Sequence, residues 1–305
     1  MTHTLDQVIE TASGILLGKR QVIKLSLACL LARGHLLVED VPGVGKTTLA
    51  HTLARVLGLN YQRIQFTSDL LPSDILGVTI FDREKQAFRF HPGPIFAQLV
   101  LADEINRATP KAQSALLEAM EERQVTTEGE TRHLPEPFFV IATQNPSHQV
   151  GTFALPESQL DRFLMRVHIG YPDRQAERKL LLGKDRRSLI GQLPAILQPA
   201  LLADLQCQID DIFVSGPLLD YCQDIIDYTR NSPDFRHGLS PRAGLAMLHS
   251  ARAWAMLEGR SQVLPEDLQA IIPATIGHRL QPVAETENSD HTKLVQTLLK
   301  RIPIP

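Results

Sequence analysis

The sequence predicts an α/β fold, in which helices cover both faces of a parallel sheet, joined to a smaller all-helical domain. Short apolar strands alternate with amphipathic helices over the first 170 residues, which is typical of a buried parallel sheet. Beyond about residue 171 the sequence shows only helical stripes. Because 305 residues exceed the usual size of one compact domain, we predict two domains, residues 1–170 and 171–305.

The first elements of the predicted sheet domain surround a glycine-rich turn. Two short helices between residues 5 and 33 break near Gly18, and residues 35–39 form the first strand. After the turn, a helix runs to Leu57, and Gly58 is its expected C-terminal stop. The remaining strands predicted for the sheet are residues 64–66, 99–102 and 138–142.

Two hairpins and one further helix complete the predicted domain. Residues 78–81 and 87–90 read as β-strands on either side of a charged turn, and a second hairpin is expected around Gly129. Thr109 and Pro110 are suited to the N-cap and first position of the helix between the two hairpins.

Composition excludes several classes of protein. The apolar content of 43% and charged content of 21% are ordinary for a globular protein, and a net charge of −3 argues against a generally basic nucleic-acid binder. The three cysteines lie far apart without metal-binding spacing. No stretch approaches eighteen consecutive apolar residues, and the N-terminus lacks a signal-peptide pattern. We therefore expect a cytoplasmic protein without a membrane span.

The glycine-rich turn has the features of a phosphate-binding loop. Its backbone N–H groups and the following helix N-terminus would face an anion. Lys46 would reach the β- and γ-phosphates of ATP, and the Thr47 hydroxyl would bind Mg²⁺. The pattern G-x-x-x-x-G-K-[ST] is not fully met, because Asp40 occupies the position of the first glycine. The predicted ATP-binding residues of the turn are Pro42, Gly43, Val44, Gly45, Lys46, Thr47 and Thr48.

Polar residues follow two buried strands at the edge where ligands collect in a parallel sheet. Asp103 and Glu104 end the strand of residues 99–102, and Asn145 follows the strand of residues 138–142. Asp103 is placed to hold Mg²⁺, and Glu104 to polarise an attacking water. The Asn145 amide could orient that water or contact the γ-phosphate; alternatively, Asn145 simply begins a turn before Pro146.

Two arginines are candidates for phosphate contacts. Arg162 would stabilise charge that develops in the transition state, and such an arginine often comes from a neighbouring subunit. The alternative is a surface ion pair with Asp161 or Glu157. Arg242 follows a predicted N-cap, Ser240, where a cation opposes the helix dipole and so suggests an anionic partner.

Four sequence segments together resemble the MoxR family of AAA+ ATPases. The resemblance covers nearly the whole chain, in motif order and in spacing, and includes the acidic residue at position 40. The segments that carry it are Glu39-Asp40-Val41-Pro42-Gly43-Val44-Gly45-Lys46-Thr47, Leu101-Ala102-Asp103-Glu104-Ile105-Asn106-Arg107-Ala108, Ala142-Thr143-Gln144-Asn145-Pro146 and Leu155-Pro156-Glu157-Ser158-Gln159-Leu160-Asp161-Arg162-Phe163.

The resemblance implies a AAA+ P-loop NTPase core with a smaller α-helical lid domain, binding ATP and Mg²⁺. Lys46 and Thr47 match Walker A, and Asp103 and Glu104 match Walker B. The other matches are Asn145 to sensor 1, Arg162 to the arginine finger and Arg242 to the sensor 2 arginine. Family members form hexameric rings and act with a separate von Willebrand factor A (VWA) domain protein. The resemblance thus implies a chaperone-like ATPase that remodels, matures or activates a client protein.

Three other functions agree less well with the sequence than an ATPase that remodels proteins. A nucleic-acid-remodelling motor is the main alternative, since cations in or beside the hairpins could line a basic pore. Interleaved acidic residues favour solvated turn charges instead, so nucleic acid is not the expected partner. The Asp103–Glu104 pair argues against a scaffold that only binds nucleotide, and no acceptor-binding lid suggests a small-molecule kinase. The hairpin cations are Arg83, Lys85, Arg89 and Arg132.

Overall fold

The computed structural model describes residues 2–145, 152–183, 185–283 and 291–304. Its strands are β1 (Leu36–Glu39), β2 (Tyr61–Gln65), β3 (Gly77–Asp82), β4 (Ala87–Pro92), β5 (Leu99–Asp103), β6 (Gln124–Thr127), β7 (Glu130–His133), β8 (Phe139–Gln144) and β9 (Met165–Val167). Its helices are α1 (Thr2–Ile15), α2 (Arg20–Leu31), α3 (Lys46–Val56), α4 (Pro72–Leu76), α5 (Pro110–Glu122), α6 (Glu157–Leu160), α7 (Arg174–Leu182), α8 (Arg186–Gly191), α9 (Pro199–Gln208), α10 (Gly216–Asn231), α11 (Pro241–Leu257), α12 (Pro265–Ile276) and α13 (His291–Arg301).

Five of the described strands form one parallel sheet in the order β2-β5-β8-β1-β9. The alternation of side chains along a strand sends Leu36 and Val38 to one face and Leu37 to the other. Helices α1, α2 and α3 cover the first face, and α4 and α5 cover the second. The predicted α/β class with helices on both faces is confirmed.

Two strands differ from the sequence prediction. The edge strand β2 begins at Tyr61 rather than residue 64, because its exposed side chains Gln62 and Arg63 hide the strand pattern. Strand β9 was not predicted, since it is three residues long and contains a charged residue, Arg166, which forms an ion pair with Glu39. Arg162 therefore precedes the last strand of the sheet, whereas the predicted strands, of which 138–142 is the last, all come before it.

Both predicted hairpins are confirmed. Strands β3 and β4 pair antiparallel, as do β6 and β7 around Gly129. The elements after β9 are helices, as predicted. Apolar residues of α10, α11 and α12 join the same core cluster as α1 to α3. The helical part thus packs on one face of the sheet domain, and a boundary near residue 170 stays a prediction.

A buried histidine at the start of β1 should make stability depend on pH. His35 Nδ1 accepts a hydrogen bond from Val140 N at 3.0 Å, and Nε2 lies 3.3 Å from the Met120 carbonyl oxygen. Burial lowers the pKa of His35 from 6.5 to about 4, and burial lowers the pKa of His278 as well. Between pH 6.5 and about 4, the histidine at position 35 is therefore protonated in the unfolded chain but neutral in the folded chain. Lowering the pH through this range lowers the free energy of unfolding.

We expect the free energy of unfolding to fall by about 2 kcal/mol for His35 alone when the pH is lowered from 7 to 5. Urea denaturation at the two pH values measures it. His35→Asn, which keeps an acceptor near Val140 N, should reduce the pH dependence by that amount. The matched variant His3→Asn changes an exposed histidine and should leave it unaltered. An undiminished pH dependence in His35→Asn would show that another group is responsible.

Candidate functional site

The glycine-rich turn between β1 and α3 has a backbone that only glycine adopts easily. Gly43 has φ of +86° and Gly45 has φ of +104°, both in the left-handed region. Lys46 begins α3, and no side-chain hydrogen bond caps this helix N-terminus within the described residues. The amides of the first turn are consequently available to an anion.

Lys46 lies inside this turn and links it to the neighbouring strand. Its Nζ donates to the Asn145 Oδ1 atom at 2.7 Å and to the Asp40 carbonyl oxygen at 2.5 Å. Burial lowers the pKa of Lys46, whereas the charges of Asp40 and of Asp103 act in the opposite direction. The Gln144 carbonyl oxygen is a third acceptor at 3.4 Å, so oxygen atoms hold the ammonium group at the sheet edge.

Asp40 explains why the turn departs from the usual phosphate-loop pattern. Its Oδ1 accepts a hydrogen bond from Val41 N at 2.8 Å, and its Oδ2 accepts one from Gly170 N at 2.6 Å. The carboxylate therefore fixes the start of the turn to the chain that follows β9. A glycine at position 40 could make neither of these bonds.

Asp103 and Glu104 lie at the carboxyl end of the interior strand β5, as predicted. Asp103 is buried, and its Oδ1 accepts a hydrogen bond from Thr143 Oγ1 at 2.6 Å. The same hydroxyl oxygen accepts a bond from Glu104 N at 2.8 Å. Glu104 has φ of +58°, an uncommon conformation for a residue other than glycine that is often found at functional sites.

Asn145 connects the acidic pair to Lys46. Its Nδ2 donates to Glu104 Oε1 at 3.1 Å, while its Oδ1 accepts from Lys46 Nζ. One amide thus contacts both groups that are expected to act on a terminal phosphate. Pro146, which could make Asn145 a turn residue, lies outside the described residues.

Several residues at this edge were not among the predicted site residues. Arg63 contacts Asp103, and Gln65 and Arg107 both donate to Glu104 Oε2, at 3.0 and 2.8 Å. Arg63 and Gln65 are on β2, which pairs with β5 so that Gln65 lies opposite Asp103. The predicted strand began at residue 64, so it included Gln65 and left Arg63 outside it.

A cavity of about 590 Å³ opens over these groups, which is within the range of small-molecule sites. Val44 does not line it, since its side chain packs on the core. The Thr47 hydroxyl and the Asp103 carboxylate are hard oxygen donors of the kind that Mg²⁺ prefers. The lining residues are Pro42, Gly43, Gly45, Lys46, Thr47, Thr48, His51, Tyr61, Arg63, Asp103, Glu104, Asn145 and Ile190.

Within the described part of the chain, no cluster of three or more acidic, histidine or cysteine side chains could hold a metal alone. Thr47 and Asp103 would therefore supply only part of a magnesium shell, and phosphate oxygens would have to complete it. These residues fit a nucleotide-bound Mg²⁺ better than a permanently bound metal.

The structure does not bring Arg162 and Arg242 to this cavity, and their predicted roles in ATP binding and catalysis stay predictions. Both arginines line a separate pocket beneath α11 and contact Glu121, Arg162 Nη2 at 3.1 Å and Arg242 Nη2 at 2.5 Å. Arg242 Nη1 also lies 3.9 Å from Asp161 Oδ2. The helical domain, which carries Arg242, packs on the side of the sheet that α1 to α3 cover. This tertiary packing, and not a local pattern, decides where Arg242 lies.

Comparison with protein families agrees with this fold and site. The model of the ATPase family associated with various cellular activities (AAA) matches residues 35–165. The model of the AAA lid domain matches residues 227–298. The parallel sheet, its phosphate-binding turn and the helical lid thus define a AAA ATPase.

Similarity to individual proteins shows which family of AAA ATPases the chain belongs to. Chaperone MoxR1 of Mycobacterium tuberculosis is 41% identical over 288 residues, which cover 91% of this chain and 76% of that protein. Protein MoxR of Paracoccus denitrificans is 32% identical over 96% of this chain and 94% of its own length. The chain belongs to the MoxR family of AAA+ ATPases, which confirms the predicted family.

Two further similarities extend over the full length. The Bacillus subtilis (strain 168) protein YeaC, which is uncharacterized, is 43% identical over 303 residues, covering 99% of this chain and 95% of that protein. A crystal structure of a provisionally named ATPase from Cytophaga hutchinsonii superposes with a TM-score of 0.89 at 33% identity, over 100% of this chain and 96% of the other. None of the described helices is both long enough and apolar enough to span a bilayer.

Proposed function

We propose that this protein hydrolyses ATP to ADP and phosphate, and that it uses the reaction to remodel, mature or activate a client protein. The observation that carries the proposal is the linkage of Lys46, Asn145, Glu104 and Asp103 around one cavity. A cation, an amide and two carboxylates at the end of a phosphate-binding turn are the groups that phosphoryl transfer to water requires.

Each residue has a proposed role in the reaction. Lys46 and the amides of the turn bind the β- and γ-phosphates, and Thr47 and Asp103 hold Mg²⁺. Mg²⁺, when bound, neutralises charge on the phosphate oxygens. Glu104 accepts a proton from the attacking water, and Asn145, which already contacts Glu104, keeps that water in line with the phosphorus atom.

Arg162 and Arg242 are proposed to act on the nucleotide of a neighbouring subunit. Both lie in a pocket that shares no residue with the cavity at the turn, which supports contact with a phosphate bound by another chain. This arrangement implies a homo-oligomer in which the lid pocket of one subunit faces the cavity of the next. A head-to-tail contact forms a closed ring when the rotation between subunits closes, and we propose a ring of six subunits.

A protein client suits the exposed hairpin better than nucleic acid does. The β3–β4 hairpin exposes 51% of Ile80, 44% of Phe81 and 76% of Phe88. Arg132 is not a free cation, because it stacks on Phe90 and pairs with Glu130. Exposed apolar side chains of this kind bind polypeptide, and two relatives carry the name MoxR, one of them as a chaperone. We also propose that the protein acts together with a VWA-domain protein and is located in the cytoplasm.

Removing Lys46 should abolish nucleotide binding. Lys46→Ala loses the charge-assisted contacts to phosphate, so we expect the affinity for Mg²⁺·ATP to fall by about 100-fold or more. Isothermal titration calorimetry with a non-hydrolysable ATP analogue and Mg²⁺ is the measurement. Lys111→Ala, which removes an exposed lysine from α5, should bind as the unaltered protein does. The absence of heat with folded unaltered protein would contradict the proposed function.

A further inference from the structure

Arg63 forms an ion pair with Asp103, the carboxylate that is expected to hold magnesium. The residue lies on the edge strand β2, beside β5. Its Nε and Nη2 atoms both donate to Asp103 Oδ2, at 3.0 and 2.7 Å, and Nη2 also donates to Gln65 Oε1 at 2.6 Å. The Arg63 side chain is about half exposed, whereas that of Asp103 is 9% exposed. The partly exposed guanidinium of Arg63 is thus paired with the buried carboxylate of Asp103.

Each oxygen of the acidic pair has a donor in this arrangement. Thr143 donates to Asp103 Oδ1, and Arg63 donates to Oδ2. Asn145 donates to Glu104 Oε1. Gln65 and Arg107 donate to Glu104 Oε2. The repulsion between two adjacent carboxylates is therefore compensated by the protein itself, without a metal ion.

Of the two bonds to Asp103, the one from Arg63 is the easier to exchange. The Thr143 hydroxyl is fully buried and is also bound by Glu104 N, so its position is fixed from two sides. The guanidinium of Arg63 can instead turn into solvent on its flexible side chain. Mg²⁺, with or without an intervening water, needs Asp103 without a competing cation on the same oxygen.

We propose that Arg63 is a built-in counter-ion of the magnesium site, which Mg²⁺·nucleotide must displace from Asp103. This inference rests on the proposed function of the cavity and names a positioning residue for it. The exchange keeps Asp103 paired before nucleotide arrives, and it raises the magnesium concentration at which the site fills. Arg63 therefore sets how strongly nucleotide binding depends on free Mg²⁺.

The test is the magnesium dependence of nucleotide binding, measured without turnover. A fluorescent non-hydrolysable ATP analogue is held at saturating concentration while Mg²⁺ is titrated. In Arg63→Gln, the Mg²⁺ concentration for half of the full signal should fall by about three- to tenfold, since a partly exposed ion pair no longer competes. Arg55→Gln makes the same charge change on an exposed face of α3 and should leave this concentration within twofold of the original.

Arg63→Lys provides a second variant that keeps the charge but not the two-nitrogen contact. The Mg²⁺ concentration that gives half of the full signal (the half-point) should lie between those of the unaltered protein and Arg63→Gln. If Arg63→Gln does not fold, Arg63→Lys alone decides. A half-point that is unchanged or higher in these variants, with the unaltered protein binding normally, overturns the inference while the proposed function stands. If the unaltered protein binds no nucleotide at saturating Mg²⁺, the proposed function fails instead.

Discussion

Glu104→Gln is expected to bind ATP almost as tightly as the unaltered protein and to hydrolyse it about 10²–10⁴ times more slowly. Glutamine has the same shape as glutamate, and its amide oxygen can still accept the hydrogen bond from Asn145 Nδ2, which is 3.1 Å away from Glu104 Oε1. The amide cannot accept a proton from water at neutral pH, however. Binding and turnover should consequently separate in this variant.

Phosphate release measured at saturating Mg²⁺·ATP gives the turnover, and calorimetry gives the affinity. Glu118→Gln is the matched control, because it removes an exposed carboxylate from α5 and should hydrolyse ATP at the original rate. Glu104→Gln with an undiminished rate would remove Glu104 from the mechanism. A variant that binds without turnover would also retain its client for longer, so it suits capture of that client.

The sheet and the phosphate-binding turn could be predicted from the sequence because their signals are local. Strand β5 is an apolar run that ends at Asp103 and is followed by Glu104, and the turn needs glycine at positions 43 and 45 for their positive φ angles. Parallel strands place their carboxyl ends at one edge, so Asn145 could be expected beside the acidic pair. These inferences require only strand direction and not the packing of side chains.

What could not be predicted depends on tertiary packing. Arg63 was missed because β2 is an edge strand whose polar side chains show no burial pattern. The distance of Arg242 from the turn depends on which face of the sheet the helical domain covers, and no local pattern encodes that choice. Strand β9 is recognisable only once Arg166 is seen to pair with Glu39, across two strands that are far apart in the chain.

The pocket that contains Arg162 holds its guanidinium in one orientation. Nη1 donates to the Leu117 carbonyl oxygen at 2.7 Å, and Nη2 lies 3.1 Å from Glu121 Oε2. Glu121 also binds Arg242, whose hydrogen bond lowers the pKa of the Glu121 carboxyl group. Arg162, Arg242 and Arg279 pair with only two carboxylates, Glu121 and Asp161, and the remaining positive charge suits the phosphates of another subunit.

Arg162→Ala is therefore expected to bind ATP normally and to lose about 10³-fold or more in the rate of hydrolysis, the usual effect of removing an arginine that stabilises a phosphoryl transition state. The loss should appear only in assembled protein, where the arginine of one subunit reaches the next. Arg20→Ala, which removes an exposed arginine paired with Glu10, is the control and should keep the original rate.

Mixing two inactive variants distinguishes action within a subunit from action between subunits. Arg162→Ala retains an intact cavity, and Lys46→Ala retains an intact Arg162. In a ring assembled from equal amounts of both, about a quarter of the head-to-tail interfaces join the intact cavity of one variant to the intact arginine of the other. The mixture should recover a corresponding share of the original rate. If Arg162 served its own chain, no interface could be active, and the mixture would remain as slow as its components.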